Sequence, residues 1–295
     1  MMNWTHRPYH GEADFLALLA LLSACNAADP SAGYIQPGDL SWWIRQNEVF
    51  KPQDSIEIFE DSAGQMLGFV FSDPPTWAVV QALPGVPGSL LDDMLGHARG
   101  RAGNAELTVW AFEGDGALIA ALKRHSFTRT DRRTVQFEYC PADQGIPDAP
   151  RLPAGFSLTA IPDDHQLKTR RVELHQAVWH PSQVTAAAYD HLRASPAYDS
   201  ELDVALVGPG GQLVAYALGW FDPRTRIGVM EPVGTHPGHR GQGLGRLTVR
   251  EVNRRLAECG AERIIIRTPE SNAGAVRLYA SANFRITGYV CDYSR

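Results

Sequence analysis

Gly241, Gly243 and Gly245 stand at alternate positions between an apolar run and a helical pattern, a spacing that can hold an anion. Lacking Cβ atoms, they let a turn bring several backbone N–H groups toward one negatively charged group. The run from Arg226 to Val233 contains Ile227, Val229 and Val233 and reads as a buried strand. After the glycines, Leu247, Val249, Val252 and Leu256 recur near helical spacing, with Arg250, Arg254 and Arg255 on other faces. The glycine turn therefore meets a helix N-terminus, where orphan amides and the helix dipole favour phosphate. The expected chemistry is the cradling of a pyrophosphate.

Two common cradles are excluded by single residues. No Lys-Ser/Thr pair follows the last glycine, so the loop is not of the Walker type. A dinucleotide fingerprint needs glycines at 241, 243 and 246, and position 246 is Arg246. The pattern Arg240-x-x-Gly243-x-Gly245, preceded by Val233-Gly-Thr-His-Pro237, resembles motif A of the GNAT N-acetyltransferase superfamily. A second pattern, Asn272-Ala-Gly-Ala-Val-Arg-Leu-Tyr279 followed by Phe284, looks like the family's motif B and stands at the family's spacing. The resemblance covers roughly residues 155–295. It implies acetyl-coenzyme A as co-substrate, its pyrophosphate held by Arg240, Gly241, Gln242, Gly243, Leu244, Gly245 and Arg246. It further implies cofactor contacts from Val233, Gly234, Thr235 and Asn272.

Acetyl transfer to an amine needs a positioned thioester, a neutral amine, donors for the developing oxyanion and a proton for the leaving thiolate. The resemblance implies that the strand at Val233 to Thr235 bulges and splays, freeing backbone amides for the thioester. It implies Tyr279 as general acid, placed near the cofactor sulfur, the alternative being a ring that packs with one hydrogen bond. Glu231, two residues before Val233, is the expected general base, acting directly or through water; orienting a cationic substrate is the other use of such a carboxylate. His236 and His239 could relay protons, although loop histidines are more often solvated. Asn272 either caps its helix or contacts the pantetheine arm. Trp42 and Trp43, after Asp39, could wall an acceptor pocket, core packing being the commoner use of such a pair.

The elements that must position these residues occur twice. Asp115 to Leu122 followed by Phe127 lines up with Asn272 to Tyr279 followed by Phe284, both pairs standing 157 residues apart. The hairpin turn at Gly64-Gln65 matches Gly211-Gln212. In the first copy Trp77 to Leu83 reads as the fourth strand and Leu90 to Arg99 as the next helix. Only Pro84 to Ser89 lie between them, with two prolines and no Arg-x-x-Gly-x-Gly, and Leu122 stands where the second copy has Tyr279. The expected fold is α/β (α+β), two tandem GNAT folds, each a mixed, mostly antiparallel sheet flanked by helices. The layout is similar to that of the mycothiol synthases within the superfamily. Residues 1–140 form a degenerate first copy, 141–154 a linker in a proline-rich stretch, and 155–295 the catalytic copy. Within the latter, helices are expected at Arg170–Trp179 and Thr185–Arg193, a hairpin at Leu202–Val207 and Leu213–Trp220, and strands at Arg263–Arg267 and Phe284–Tyr293.

Bulk properties narrow the function classes. Hydrophobic residues make up 44% of 295, and a net charge of −6 argues against a nucleic-acid partner, which would need a basic face. Cys25, Cys140, Cys259 and Cys291 are far apart and give no metal spacing, so no metal is expected. The apolar run from Phe15 to Cys25 ends in Leu-Ser-Ala-Cys, like a lipoprotein cleavage box, but Glu12 and Asp14 crowd its flank; Asp14 reads better as the cap of a first helix. No run approaches the ~18 apolar residues of a membrane span, so a cytoplasmic enzyme without a membrane partner is expected. The acceptor class is a primary amine, most readily on a small molecule, with a protein amine as the alternative. A non-catalytic acyl-CoA sensor is the rival reading.

Overall fold

The computed structural model describes residues 3–29 and 34–295. The first elements are β1 (Trp4–Pro8), α1 (Glu12–Ala28), α2 (Pro37–Arg45), α3 (Pro52–Ser55), β2 (Ile56–Asp61), β3 (Met66–Phe71) and β4 (Trp77–Ala82). These lead into α4 (Gly88–Ala102), β5 (Thr108–Phe112), α5 (Gly116–Arg124), β6 (Thr128–Tyr139) and α6 (Pro141–Gln144). The chain continues with β7 (Ser157–Ala160), α7 (His165–Val178), α8 (Ala186–Arg193), β8 (Asp203–Val207), β9 (Leu213–Asp222) and β10 (Ile227–Thr235). It closes with α9 (Leu244–Glu258), β11 (Arg263–Pro269), α10 (Ala273–Ser281) and β12 (Arg285–Ser294).

Residues 1–36, 51–135 and 288–295 group into one compact unit, and residues 37–50 and 136–287 into another. The first unit's sheet runs β1-β2-β3-β4-β5-β12, with β12 antiparallel to β5 from Val290↔Phe112 to Ser294↔Thr108. Its β4 and β5 are parallel, joined through α4, whereas β1 with β2, β2 with β3 and β3 with β4 are antiparallel. Alternate residues of β3, β4 and β5, among them Val70, Val80 and Val109, point into one cluster with Leu91, Met94 and Leu95 of α4. The apolar run of α1 is a buried face, with Phe15, Leu18, Leu22 and Cys25 fully covered. Asp14 does not cap α1: the N-cap is Gly11, and the Asp14 carboxylate accepts the backbone N–H of His10 at 2.6 Å and pairs with Arg7. A carboxylate one turn inside the helix can reach back over its start, which leaves the cap position to a glycine at φ 74°.

The second unit carries the motifs. Its sheet is ordered β6-β11-β10-β9-β8-β7, where β6 enters from Gln136; β10 runs parallel to β11 and antiparallel to β9, and β8 is antiparallel to both β9 and β7. Helix α9 crosses from β10 to β11, and its Val249, Val252 and Leu256 are fully buried. Gly219 and Gly228 admit that helix closely: a Cβ would meet Val252 Cγ1 at 2.6 Å from the first and Leu256 Cδ1 at 3.1 Å from the second. The capping pattern repeats between copies, as the sequence spacing implies. Asp115 accepts from Leu118 N at the start of α5, and Asn272 accepts from Ala275 N at the start of α10. Among the described residues no helix is long and apolar enough to cross a membrane.

Candidate active site

The local irregularity of β10 builds the site. Pro232 has no N–H to give to β9, and the β9–β10 register shifts between Met230 and Val233. On its other side β10 pairs with β11 only from Ile227↔Arg263 to Val229↔Ile265, although both strands run further. A bulge beside an early end of pairing frees the backbone of residues 231–235 on the side of β11. The glycine loop follows at once. Gly241 and Gly243 have φ of 77° and 76°, a conformation that suits glycine, and Gly243 is the N-cap of α9. Among the described hydrogen bonds, the amides of Gly241, Gln242, Gly243, Leu244 and Gly245 find no acceptor. Five such amides at one helix end are donors of the kind an anion needs.

A cavity of about 790 Å³ opens over this loop. Val233, Gly234, Thr235, Arg240, Gly241, Gly243, Leu244, Gly245 and Arg246 line it from one side, and Asn272, Leu278 and Tyr279 from α10. Of the expected cofactor contacts only Gln242 is outside the lining; its side chain is exposed. Gly245 lets α9 and α10 approach, since a Cβ there would stand 2.6 Å from Thr235 Oγ1 and 2.9 Å from Leu278 Cδ1. Arg240 turns its guanidinium to the carbonyls of Thr235 and Val178, at 3.2 and 3.3 Å, and so braces the loop. His236 accepts the Gly238 N–H on Nδ1 and shapes the same turn. A larger hollow of about 870 Å³, bordered by Lys168, Arg193, Tyr198 and Cys259, contains none of the motif residues.

Tyr279 is buried, its ring edge-on to Phe137 with centroids 5.7 Å apart, and among the described residues nothing hydrogen-bonds its hydroxyl. Burial, reinforced by the nearby Glu231 carboxylate, raises its pKa, so the phenol stays protonated at neutral pH. The Glu231 carboxyl is hemmed in by Asp39, Trp43 and Arg267, although part of the side chain meets solvent. Burial and then the Asp39 charge push its pKa well above the usual carboxylate range. Trp43 Nε1 donates to Glu231 Oε1 at 3.3 Å, Trp220 Nε1 donates to its backbone oxygen at 2.7 Å, and Arg267 binds Asp39 at 2.8 Å. The expected packing role holds for both tryptophans, Trp42 within the core and Trp43 against its edge, and Trp43 also reaches the candidate base. Sequence reading left Asp39 without a role; its separation from Glu231 along the chain hides the pairing.

Beneath the open part of β10 lies a polar network that spacing also does not reveal. Arg171 Nε binds Asp203 Oδ1 at 2.9 Å, Tyr189 donates to Asp203 Oδ2 at 2.6 Å, and the Arg171 guanidinium stacks 3.6 Å from the Tyr216 ring centre. The Tyr216 hydroxyl meets His175 Nδ1 at 2.7 Å and accepts from Trp179 Nε1 at 2.8 Å. Gly234 seats against this network, because a Cβ would lie 2.7 Å from the Tyr216 ring and 2.8 Å from Val178. Trp179, about half exposed, joins the cavity wall.

Comparison with known proteins shows the family and the fold. A family model described as "Acetyltransferase (GNAT) family" matches residues 160–284. A mycothiol acetyltransferase of Frankia casuarinae is 33% identical over 206 residues, which cover 65% of this chain and 59% of that protein. A mycothiol acetyltransferase of Thermobispora bispora is 30% identical over 233 residues, covering 75% of this chain and 77% of the other. Among solved structures, a tandem GNAT protein from the clavulanic acid biosynthesis pathway superposes with a TM-score of 0.64 at 16% identity, covering 99% and 98% of the two chains. A GCN5-related N-acetyltransferase from Sphaerobacter thermophilus gives 0.64 at 19% identity, covering 99% and 95%.

Proposed function

This chain belongs to the GNAT family of acetyltransferases, and on that premise we propose that it moves an acetyl group from acetyl-CoA to a primary amine by direct attack in a ternary complex. The observation that carries the reading is the row of five acceptor-less amides at the head of α9, four of them on residues that line a cavity closed by Tyr279 of α10. Pyrophosphate binds those amides, and the freed backbone at Val233 to Thr235 receives the thioester and its oxyanion. Glu231, its proton affinity raised toward that of the amine, takes the proton from the attacking nitrogen. Tyr279, protonated and with its hydroxyl uncommitted, returns a proton to the departing thiolate. In this reading Asn272 is first a helix cap, since its side chain already accepts the Ala275 N–H, and a cofactor contact second.

The acceptor class we favour is a small-molecule amine. The matched relatives are called mycothiol acetyltransferases, although this chain covers only 59% of the Frankia protein's length. The alternative, a sensor that binds acyl-CoA without transfer, is disfavoured by the survival of both Glu231 and Tyr279. Residues 155–295 form the catalytic copy of this reading, in the cytoplasm. The first copy is taken to have lost the cofactor, because β4 and α4 are joined by only Leu83 to Pro87 and no glycine loop intervenes.

Calorimetric titration of acetyl-CoA, coupled to an assay of thiol release with an amine panel, tests the whole reading. One site per chain is expected, lost in Gly243→Trp, with amine-dependent thiol release. Two sites would restore binding to the first copy; binding without release against any amine would favour the sensor.

A further inference from the structure

We infer that His6, Glu57 and His97 form a binding site for one divalent transition-metal cation, Zn²⁺ by the chemistry of the donors, in the first compact unit. The three residues come from β1, β2 and α4, and one ligand atom from each lies within 4.8 Å of the others. Antiparallel pairing of Pro8 with Glu57 and His6 with Phe59 sets the two strand ligands side by side. Helix α4 then delivers His97 above them, its ring centre 5.3 Å from that of His6 and edge-on to Phe59 at 6.2 Å.

Two contacts bear on this cluster. His6 Nδ1 and Glu57 Oε1 already converge, sharing a hydrogen bond of 2.5 Å whose proton a cation would displace as the two atoms move apart. His97 Nε2 is buried and has no hydrogen-bond partner, and it lies 3.7 Å from Glu57 Oε2. That gap is too long for a hydrogen bond, yet it is close to the ~3.3 Å between donor atoms around a tetrahedral Zn²⁺ with bonds of ~2.0–2.1 Å. A cation seated there would satisfy a buried nitrogen that the protein leaves unsatisfied.

The donor set is two imidazoles and one carboxylate. That combination suits Zn²⁺ and its neighbours, whereas Mg²⁺ and Ca²⁺ prefer oxygen donors. His6 is about half exposed, which gives a route of approach and leaves room for water at the remaining coordination positions. A bound ion would fasten the edge strand β1 to α4, joining residues 6, 57 and 97 across long loops. Cysteine spacing gives no hint of such a site, because its ligands meet only after the sheet and helix have packed.

Titration of the full, metal-stripped chain with Co²⁺, followed by displacement with Zn²⁺, tests the proposal. One Co²⁺ per chain with the intense visible spectrum of a four- or five-coordinate ion is expected, together with a Zn²⁺-dependent rise in the thermal midpoint. His97→Gln and Glu57→Gln should each weaken Co²⁺ binding more than ~100-fold, beyond the loss of a mere supporting partner. His6→Ala, at a half-exposed side chain, provides a variant whose folding is readily verified by circular dichroism. The proposal fails if Co²⁺ does not bind stoichiometrically, if binding survives in all three variants, or if a thiolate charge-transfer band shows that cysteine holds the metal.

Discussion

Glu231 and Tyr279 are both driven toward their protonated forms by burial, with opposite consequences for the base and acid roles proposed for them. A tyrosine kept protonated is ready to donate. Tyr279→Phe should lower kcat at least ~10-fold while leaving calorimetric affinity for acetyl-CoA nearly unchanged; an unaltered kcat would remove the hydroxyl from the mechanism. A base with a raised pKa is active only above it, so the acidic limb of kcat/KM should lie above the ~4.3 of a free glutamate. Asp39 contributes to that rise through its negative charge. Asp39→Asn should therefore shift the limb to lower pH, and Glu231→Gln should abolish it with a loss of ~10²-fold or more. A limb that stays in place in Asp39→Asn would show that the carboxylate neighbour does not set the base. The sequence singled out Glu231 and Tyr279 through motif spacing, but Asp39 and Trp43 carried no readable signal, because their roles depend on how α2 lies in the second unit.

At the scale of elements, function rests on where regular pairing stops. Pro232 interrupts β10, the parallel pairing to β11 ends at Val229, and α9 begins at a glycine in a left-handed conformation. Gly245 allows α9 and α10 to close together over the cradle. Gly245→Ala places a methyl against Thr235 and Leu278, and should raise the acetyl-CoA dissociation constant by ~10-fold, equivalent to ~1.4 kcal/mol. Gly241→Ala offers the contrast: its Cβ would meet open space, and the expected cost is backbone strain of ~1–2 kcal/mol, read as lower stability. Equal affinity in Gly245→Ala and the parent would mean that the cleft tolerates a wider helix pair. The elements themselves were legible. Periodicity placed the β10 strand, the α9 helix and the β8–β9 hairpin within a few residues of their observed bounds, since each buries one face in a regular pattern.

At the scale of the whole molecule, stability depends on a polar network under the site. His175 is buried beside Arg171, and burial first, then that positive charge, lowers its pKa to about 3. An unfolded histidine titrates near ~6.5. The stability due to a neutral His175 is therefore complete above ~6.5 and is lost as the pH falls toward 3, with a slope of up to ~1.4 kcal/mol per pH unit. Urea unfolding of the parent and of His175→Gln at several values between pH 7 and 4 should show a shallower decline in the variant. Parallel declines would place the proton uptake elsewhere.

The sequence by itself determined the family, the tandem fold, and the glycine loop and carboxylate and tyrosine from which the proposed site is built. These are local properties: glycine spacing, helix caps such as Asp115 and Asn272, and apolar periodicity, each set within a turn or two of chain. Tertiary structure alone decided the partners of those residues. Packing brought Asp39 and Trp43 to Glu231, committed Arg240 to bracing the loop, replaced the Asp14 cap by a reach-back contact, and gathered His6, Glu57 and His97 around one point. The partners of Glu231 and the group of His6, Glu57 and His97 lie tens to almost two hundred positions apart in the chain. Burial and charge at a point in space are properties of the packed whole, and no short window of sequence contains them.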